Sequence, residues 1–340
     1  MQRASKSGGK TSVKQYLAFL FVVTASATAV ADAVPSLQLV QTIPLHHVEG
    51  RIDHLAIDLA GQRLFVAALG NNSVEVIDLT TLQWKQRMAG LSEPQGVVFI
   101  PELHQVAITN GNSGTCEIYG GDSLERIRRI HVGDDADNIR YDAVAKQLYV
   151  GYGHGALAVI DATNGQVVGN IRLAGHPESF QLEPSASKIF VNIPGADQIA
   201  VVDRTQQQVV TTWSTTGVHA NFPMALDEAH QRLFVGFRAP AKLVVFDTAT
   251  GAQVASVDSV GDTDEVFYDV QRRRIYISGG EGFLQVVGQL GADNYQPLAK
   301  LPTAPGARTA LFVPELNRVF LAVPQHGDQQ AEIRIYDVQP

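Results

Sequence analysis

A short string of β-forming residues recurs seven times along the chain, and this repeat constrains the fold more than any other feature. Its copies end, in chain order, at Val66, Ile108, Val150, Val191, Val235, Ile277 and Leu321. Successive copies lie 41 to 44 residues apart. A period of this length is typical of propeller blades and other repeated supersecondary units. The sequence therefore predicts a repeat protein whose type depends on what lies between the copies.

A second β-forming string follows each copy of the first. Its copies end at Asp78, Gly120, Asp161, Asp203, Asp247, Gly288 and Asp337. Two positions before each end stands a β-branched residue: Val76, Ile118, Val159, Val201, Val245, Val286 or Ile335. β-Branched side chains suit the pleated, buried surface of a sheet. Both strings are therefore predicted to be strands.

Polar turns separate the predicted strands. The segments Asp161–Gly165 and Asp247–Gly251, which end in Asn-Gly and Thr-Gly, are typical of hairpins. Units of four antiparallel strands and about 40 residues, stacked around an axis, form propeller blades. We predict an all-β fold, a single seven-bladed β-propeller of four-stranded antiparallel blades, over residues 34–340.

The ring needs a strand from the other end of the chain. Only three strands are predicted for the seventh unit, whereas residues 36–43 form a β-rich segment with no partner nearby. We expect this N-terminal strand to complete the seventh blade and close the ring. Closure of this kind removes an exposed sheet edge.

Residues 1–31 have the pattern of a secretory signal peptide. Four basic residues precede an apolar stretch from Tyr16 to Val23, and alanines stand at positions 29, 31 and 33. Cleavage is predicted near residues 31–33. The apolar stretch is too short to span a bilayer, and no later segment is long enough without a charge. We therefore expect a periplasmic or secreted protein with no membrane span after cleavage.

The charge and the single cysteine narrow the possible partners and cofactors. The formal net charge is −8, and removal of the leader would take away four basic residues and no acidic ones. Such a surface repels phosphate backbones, so nucleic acid is disfavoured as a partner. Cys116 is the only cysteine, which leaves no disulfide and no haem c attachment. The phosphate and dinucleotide loop motifs are missing, so no nucleotide cofactor is expected.

The string CEIYG at residues 116–120, with the VID-type strings around it, resembles the YVTN-type propellers that include the bacterial periplasmic YncE family. The resemblance extends from about Leu37 to Val338. It implies the propeller fold and says little about chemistry, because the repeated residues are core and turn positions. DNA binding has been associated with that family, and the acidic charge argues against expecting it here.

The connections between blades are the best candidates for a site. They lead into the innermost strands and should ring one mouth of the central channel, where loops on a rigid scaffold commonly carry function. They differ sharply from one another, whereas the strands repeat. The candidate ligand-binding residues are Arg51, His54, Asn138, Arg140, His176, Glu178, His219, Asn221, Asp264, Glu265 and Arg308.

The chemistry of these candidates allows several interpretations. Glu178, Asn221 and Asp264 are candidate oxygen ligands for Ca²⁺ or Mg²⁺. The histidines at 54, 176 and 219 could act as bases or as softer ligands. A polar funnel held by ion pairs, or a face that docks another protein, would need the same residue types.

Arg140 raises a separate question because it lies within a predicted inner strand. A buried guanidinium is costly unless it is paired. Asp137, Asp264 or Glu178 could supply the partner, and the sequence leaves two alternatives for Arg140, a buried ion pair or a group that binds an anion.

Two functions follow from this sequence. The first is a binding scaffold that holds a small molecule or a periplasmic protein at the channel mouth. The second is a divalent-metal-dependent lactone hydrolase or lyase at the same mouth, in which a metal polarises a carbonyl and a histidine or Glu178 moves a proton. The motifs of triad hydrolases and zinc proteases are missing from the chain.

Overall fold

The computed structural model describes residues 36–340, together with residues 4–5 and 8–9. The predicted signal peptide and its cleavage region otherwise lie outside the described residues. Within the described part, no helix has the length and apolar character needed to cross a membrane.

In the described residues, twenty-eight strands form seven four-stranded antiparallel sheets, which confirms the predicted seven-bladed propeller. Blade 1 contains β2 (Leu55–Asp58), β3 (Arg63–Ala68), β4 (Ser73–Asp78) and β5 (Gln83–Ala89). Blade 2 contains β6 (Pro94–Ile100), β7 (Gln105–Asn110), β8 (Thr115–Gly120) and β9 (Arg126–His131). Blade 3 contains β10 (Ile139–Asp142), β11 (Gln147–Tyr152), β12 (Ala156–Asp161) and β13 (Val167–Arg172).

The remaining blades follow the same order. Blade 4 contains β14 (Phe180–Leu182), β15 (Lys188–Ile193), β16 (Gln198–Asp203) and β17 (Gln208–Ser214). Blade 5 contains β18 (His219–Asp227), β19 (Arg232–Ala239), β20 (Ala241–Asp247) and β21 (Gln253–Asp258). Blade 6 contains β22 (Thr263–Asp269), β23 (Arg274–Gly279), β24 (Phe283–Gly291) and β25 (Asn294–Pro302). Blade 7 contains β26 (Ala310–Val313), β27 (Arg318–Val323), β28 (Glu332–Val338) and β1 (Leu37–Pro44).

The seventh blade is closed by the N-terminal strand, as predicted. Strand β1 pairs antiparallel with β28, from Leu37 opposite Val338 to Pro44 opposite Glu332. Leu37 and Ile43 are buried at 1% and 2% exposure. The outer strand of the last blade therefore comes from the start of the described chain, and the ring has no open edge at this point.

The core consists of seven hydrophobic clusters, each filling the space between two neighbouring blades. Alternation along the second strand of each blade produces this arrangement, because successive side chains of a strand point to opposite faces. In β3, for example, Phe65 packs toward blade 2, whereas Leu64 and Val66 pack toward blade 7. Cys116 is fully buried in the cluster between blades 2 and 3.

Irregularities recur at equivalent places. In all seven described blades the register between the third and fourth strands shifts near the β-branched residue of the repeat, as at Val76 in blade 1 and Ile335 in blade 7. β-Bulges increase local twist and bend a strand. Single turns of 3₁₀ helix at Leu69–Asn71, Pro101–Leu103, Pro194–Ala196 and Pro314–Leu316 complete the described helical structure.

Candidate ligand-binding site at the channel mouth

The register of the inner strands places one residue from every blade at the same level of the channel. The reference positions are Leu55, Val97, Ile139, Phe180, Met224, Val266 and Ala310, each paired with the equivalent residue of its second strand. Two residues earlier in each blade stand Asp53, Gln95, Asp137, Glu178, Phe222, Asp264 and Arg308. We call these seven residues the mouth ring.

Backbone hydrogen bonds hold this ring to the sheets. The N–H groups of Asp53, Asp137 and Glu178 donate to carbonyls of the second strand in their own blades, at 2.7, 2.9 and 3.0 Å. The carbonyl of the residue after each of them accepts a bond from the same second strand. The ring is thus a continuation of the ladder, so its side chains project from a rigid frame rather than from free loops.

A network of charged side chains crosses the mouth ring near blade 1. Asp53 is 1% exposed and accepts hydrogen bonds from Arg51 at 2.5 Å and from the Nδ1 of His54 at 2.6 Å. The Nε2 of His54 lies 3.7 Å from Glu265 Oε1. Burial opposes a charge on His54, but the Asp53 carboxylate outweighs it and raises the His54 pKa to about 10.

A second network lies near blade 6. Arg238, from β19, donates to the Thr263 carbonyl at 2.9 Å and to the Asp264 carboxylate, and its guanidinium carbon lies 3.6 Å from the centre of the Phe222 ring. Arg308 donates to Asp262 Oδ1 at 3.0 Å. Burial raises the pKa of Asp264 to about 6, although Arg238 opposes the shift.

His176 occupies the rim on the side of blades 2 and 3. Its Nδ1 lies 2.7 Å from the Gly153 carbonyl and 3.5 Å from Asp135, and its Nε2 lies 3.6 Å from Asp137. Burial disfavours the imidazolium, but contacts with Asp137 and with the Gly153 carbonyl raise the His176 pKa to about 9. Both imidazole nitrogens of His176 therefore face neighbouring carbonyl or carboxylate groups.

Three acceptor groups at the mouth ring form no hydrogen bond that satisfies them among the described residues: Asp137 Oδ1, Asn138 Oδ1 and the Glu178 carboxyl. Asp137 and Asn138 are 7% and 3% exposed, yet the Oδ1 atom of each is buried without a hydrogen bond. Glu178 forms no side-chain hydrogen bond or ion pair among the described residues. Burial, followed by the nearby Asp137 carboxylate, raises the Glu178 pKa to about 8. Buried polar atoms left unpaired cost free energy, so the Oδ1 atoms of Asp137 and Asn138 favour a bound donor.

Three spaces follow one another along the channel at and beyond the mouth ring. An outer chamber of about 210 Å³ is bounded by Arg51, Gln95, His176, Arg238 and Arg308, together with ring carboxylates. A narrow space of about 20 Å³ follows between Asp53, Asp137, Asn138, Glu178 and Asp264. A larger chamber of about 420 Å³ lies farther along the inner strands. We call the narrow space the constriction and the larger one the inner chamber.

Most of the predicted site residues converge here, but two do not. His219 is exposed at the side of blade 5 and bonds to Asp197 at 2.9 Å. Asn221 is fully buried and donates to Asn192 Oδ1 at 2.9 Å and to the Gln198 carbonyl at 3.0 Å. Neither lines the outer chamber or the constriction, so the proposed set of metal ligands retains only Glu178 and Asp264 in one place. The described residues contain no group of three or more His, Cys, Asp or Glu side chains placed to hold a metal ion.

Of the two alternatives for Arg140, the buried ion pair is wrong. No carboxylate lies within 4 Å of its guanidinium in the described structure, and one nitrogen donates to the carbonyl of Ile139 at 2.9 Å. Its guanidinium carbon lies 5.6 Å from the centre of the Phe180 ring. Asp137, Asp264 and Glu178 stand at the level of the mouth ring, whereas Arg140 lies beyond the ring and lines the inner chamber.

Several residues of the mouth were not among the sequence candidates. Asp53, Gln95, Asp137 and Phe222 belong to the ring, and the blade register alone would have identified them, because they stand at equivalent positions before the inner strands. Arg238 gave no such signal, since it extends a second strand beyond the length found in the other blades.

Three raised pKa values predict how stability depends on pH. The pKa values of His54, His176 and Glu178 are raised from ordinary values of 6.5, 6.5 and 4.5 to about 10, 9 and 8. The folded state therefore holds these protons more tightly than the unfolded chain, and the stabilisation is lost as pH rises through the folded pKa values. We expect the free energy of unfolding to fall by ~2 kcal/mol or more between pH 6 and pH 9.

Urea unfolding at a series of pH values measures this dependence. The double variant His176→Gln, Glu178→Gln should show a shallower decline, because only His54 of the three still titrates. A wild-type protein whose stability increases between pH 6 and pH 9 would contradict the assignment.

Fold and site together define a seven-bladed β-propeller with a charged, constricted channel mouth. No family model and no curated protein sequence matches the chain. A chain in the crystal structure of the mitotic checkpoint complex is similar, with a TM-score of 0.75 and 14% identity over 96% of this chain and 99% of that one. A chain of Kuenenia stuttgartiensis hydrazine synthase has a TM-score of 0.70 and 17% identity over 81% of this chain and 94% of that one. At these identities the likeness shows the fold alone.

Proposed function

We propose that this protein is an exported, YncE-like binding propeller that holds a small ammonium-bearing ligand at its channel mouth. The observation that carries the proposal is the pair of buried, unpaired Oδ1 atoms of Asp137 and Asn138 at the constriction, where the Glu178 carboxyl also lies. An ammonium group has three donors and no acceptor, which matches three acceptors in one small space. The pattern of residues 1–31 and the repeat strings support the export and the family resemblance.

The size of the two outer spaces supports a ligand with one charged end. The constriction, at about 20 Å³, has room for one group the size of water or ammonium. The body of the ligand would occupy the outer chamber of about 210 Å³, which is mostly polar and bounded by Arg51, Arg238 and Arg308. Charged groups that are already fixed in place lose little freedom on binding, which favours affinity.

The divalent-metal enzyme is less well supported. Its candidate ligands were Glu178, Asn221 and Asp264, and Asn221 bonds to groups of blade 4 instead. Two carboxylates that are largely buried remain, and one of them contacts Arg238. Ca²⁺ usually takes six or more oxygen ligands, and the described residues contain no group of three or more His, Cys, Asp or Glu side chains placed to hold a metal ion.

Calorimetric titration of the mature protein with butylamine tests the proposal. We expect saturable binding that Asp137→Asn weakens at least about tenfold, because the variant loses the charge beside the ammonium. The matched control is Asp122→Asn, whose carboxylate is 89% exposed in the turn between β8 and β9 and lines neither the outer chamber nor the constriction. Butanol, which has the same body without the charge, should bind much more weakly.

Other outcomes would overturn the proposal. Equal binding by wild type and Asp137→Asn would mean that the constriction holds water only. A response to CaCl₂ or MgCl₂ without a response to butylamine would favour the metal-dependent enzyme. Mass spectrometry of protein recovered from the periplasm tests export, since the expected N-terminus lies at residues 32–34, and an intact leader would contradict it.

A further inference from the structure

The inner chamber has a different character from the mouth. It holds about 420 Å³ and is lined mainly by apolar side chains of the inner strands, among them Ala56, Val98, Phe267 and Leu311. The constriction separates it from the outer chamber. Arg140 lines the inner chamber and does not line the outer one. An apolar cavity with a few convergent polar groups is the usual form of a small-molecule site.

Arg140 is the unusual group in this chamber. Its equivalents in the other blades are Ala56, Val98, Gln181, Ala225, Phe267 and Leu311. A guanidinium presents five N–H donors in a planar fork. Among the described residues, Arg140 donates to one acceptor, the carbonyl of Ile139. Phe180 contacts the cation without offering a counter-charge.

The groups around Arg140 do not neutralise it by direct contact. Glu265 lines the same chamber at 9% exposure, and its closest basic contact is His54, at 3.7 Å. Burial raises the Glu265 pKa to about 7, although His54 and Arg140 oppose the shift. A protonated Glu265 carboxyl donates a hydrogen bond instead of repelling an anion. Gln181 is engaged with the Met224 carbonyl at 2.9 Å.

We propose that the inner chamber is a second binding site, which takes a small monocarboxylate with an apolar body and pairs its carboxylate with Arg140. The guanidinium fork fits a carboxylate in two parallel hydrogen bonds. The apolar walls take up the body of the ligand, whose burial contributes through the hydrophobic effect. This site is independent of the ammonium site, because no residue beyond His54 lines both the constriction and the inner chamber.

Titration of the full mature protein with octanoate tests this site. Wild-type protein should bind octanoate saturably, and Arg140→Gln should weaken binding at least about tenfold through loss of the charged fork. Arg172→Gln is the matched control, because Arg172 is an exposed arginine of the outer strand β13 in the same blade. Asp137→Asn should not weaken octanoate binding, although it weakens butylamine binding, and this difference separates the two sites.

Ligand and cavity variants make the test specific. Acetate lacks the apolar body and octanol lacks the charge, so both should bind more weakly than octanoate. Leu311→Trp fills the chamber without removing Arg140 and should also reduce binding, whereas Glu265→Gln should preserve it. The proposal is overturned by equal octanoate binding in wild type and Arg140→Gln, or by the absence of saturable binding to the folded wild type.

Discussion

Replacement of Ile43 by Asp is expected to unfold the propeller or to lower its free energy of unfolding by more than about 4 kcal/mol. Ile43 lies in the closing strand β1, opposite Ile333 of β28, and is 2% exposed within the cluster between blades 7 and 1. A carboxylate at this position would be buried without a partner, and the apolar contacts of Ile43 would be lost. Guanidinium unfolding followed by circular dichroism measures the change.

The control for this variant lies three residues earlier in the same strand. Val40 is 41% exposed and stands at the register shift between Leu39 and Gln41. Val40→Asp adds the same charge to the same strand and should change stability by no more than about 0.5 kcal/mol. Equal losses in the two variants would mean that charge near the seam, rather than burial, causes the damage. A stable Ile43→Asp variant would show that β1 is dispensable for closure.

Replacement of Asp58 by Ala is expected to cost about 3–5 kcal/mol, because it leaves a buried guanidinium without its counter-charge. Asp58 is fully buried at the end of β2, and its Oδ2 accepts bonds from Arg63 Nη2 at 2.5 Å and Nε at 3.1 Å. Its Oδ1 also accepts the Gly61 N–H at 2.8 Å. Arg63 donates further to the Gly121 carbonyl of the next blade at 2.5 Å, so the pair joins blades 1 and 2.

The comparable pair in blade 7 provides the control. Arg318 and Asp337 lie 3.0 Å apart, with side chains 29% and 39% exposed. Exposed pairs of this kind contribute about 1 kcal/mol or less, so Asp337→Ala should have little effect on the urea midpoint. The double variant Asp58→Leu, Arg63→Met should recover part of the loss, since it removes both charges together. No difference between Asp58→Ala and Asp337→Ala would contradict the assignment.

The fold was predictable because its information is local and repeated. Strings such as RLFV and VID each specify a strand, and seven copies at a near-constant period leave few other architectures. The closing strand could be identified because residues 36–43 had β character and no partner, and the pairing of Leu37 with Val338 confirms it. The bulges between third and fourth strands could not be read in advance, because they depend on the twist that neighbouring blades impose.

The site was predictable only in part, because the connections have no common length. Strand β18 begins at His219, earlier relative to its reference residue Met224 than any other inner strand. It continues to pair with β19, placing Asn221 opposite Phe237 and His219 opposite Ala239. Residues that resemble a connection in sequence therefore belong to a sheet, and their side chains bond to groups of blade 4 instead of lining the mouth. The charge pattern of the mouth depends on such offsets, which the repeat alone does not contain.

Closure of the propeller by β1 also determines the order in which the blades can form. Strand β1 pairs with β28. Its first residue, Leu37, therefore cannot pair until Val338, at the far end of the described chain, has been synthesised. Six blades are formed by contiguous segments and can assemble while the chain is still being made, whereas the seventh needs β28 to be complete. During that interval β1 is an unpaired edge strand with apolar residues exposed to other chains. Contacts between such distant parts of a chain slow folding, so the step that seals the ring is also the one most open to misassembly.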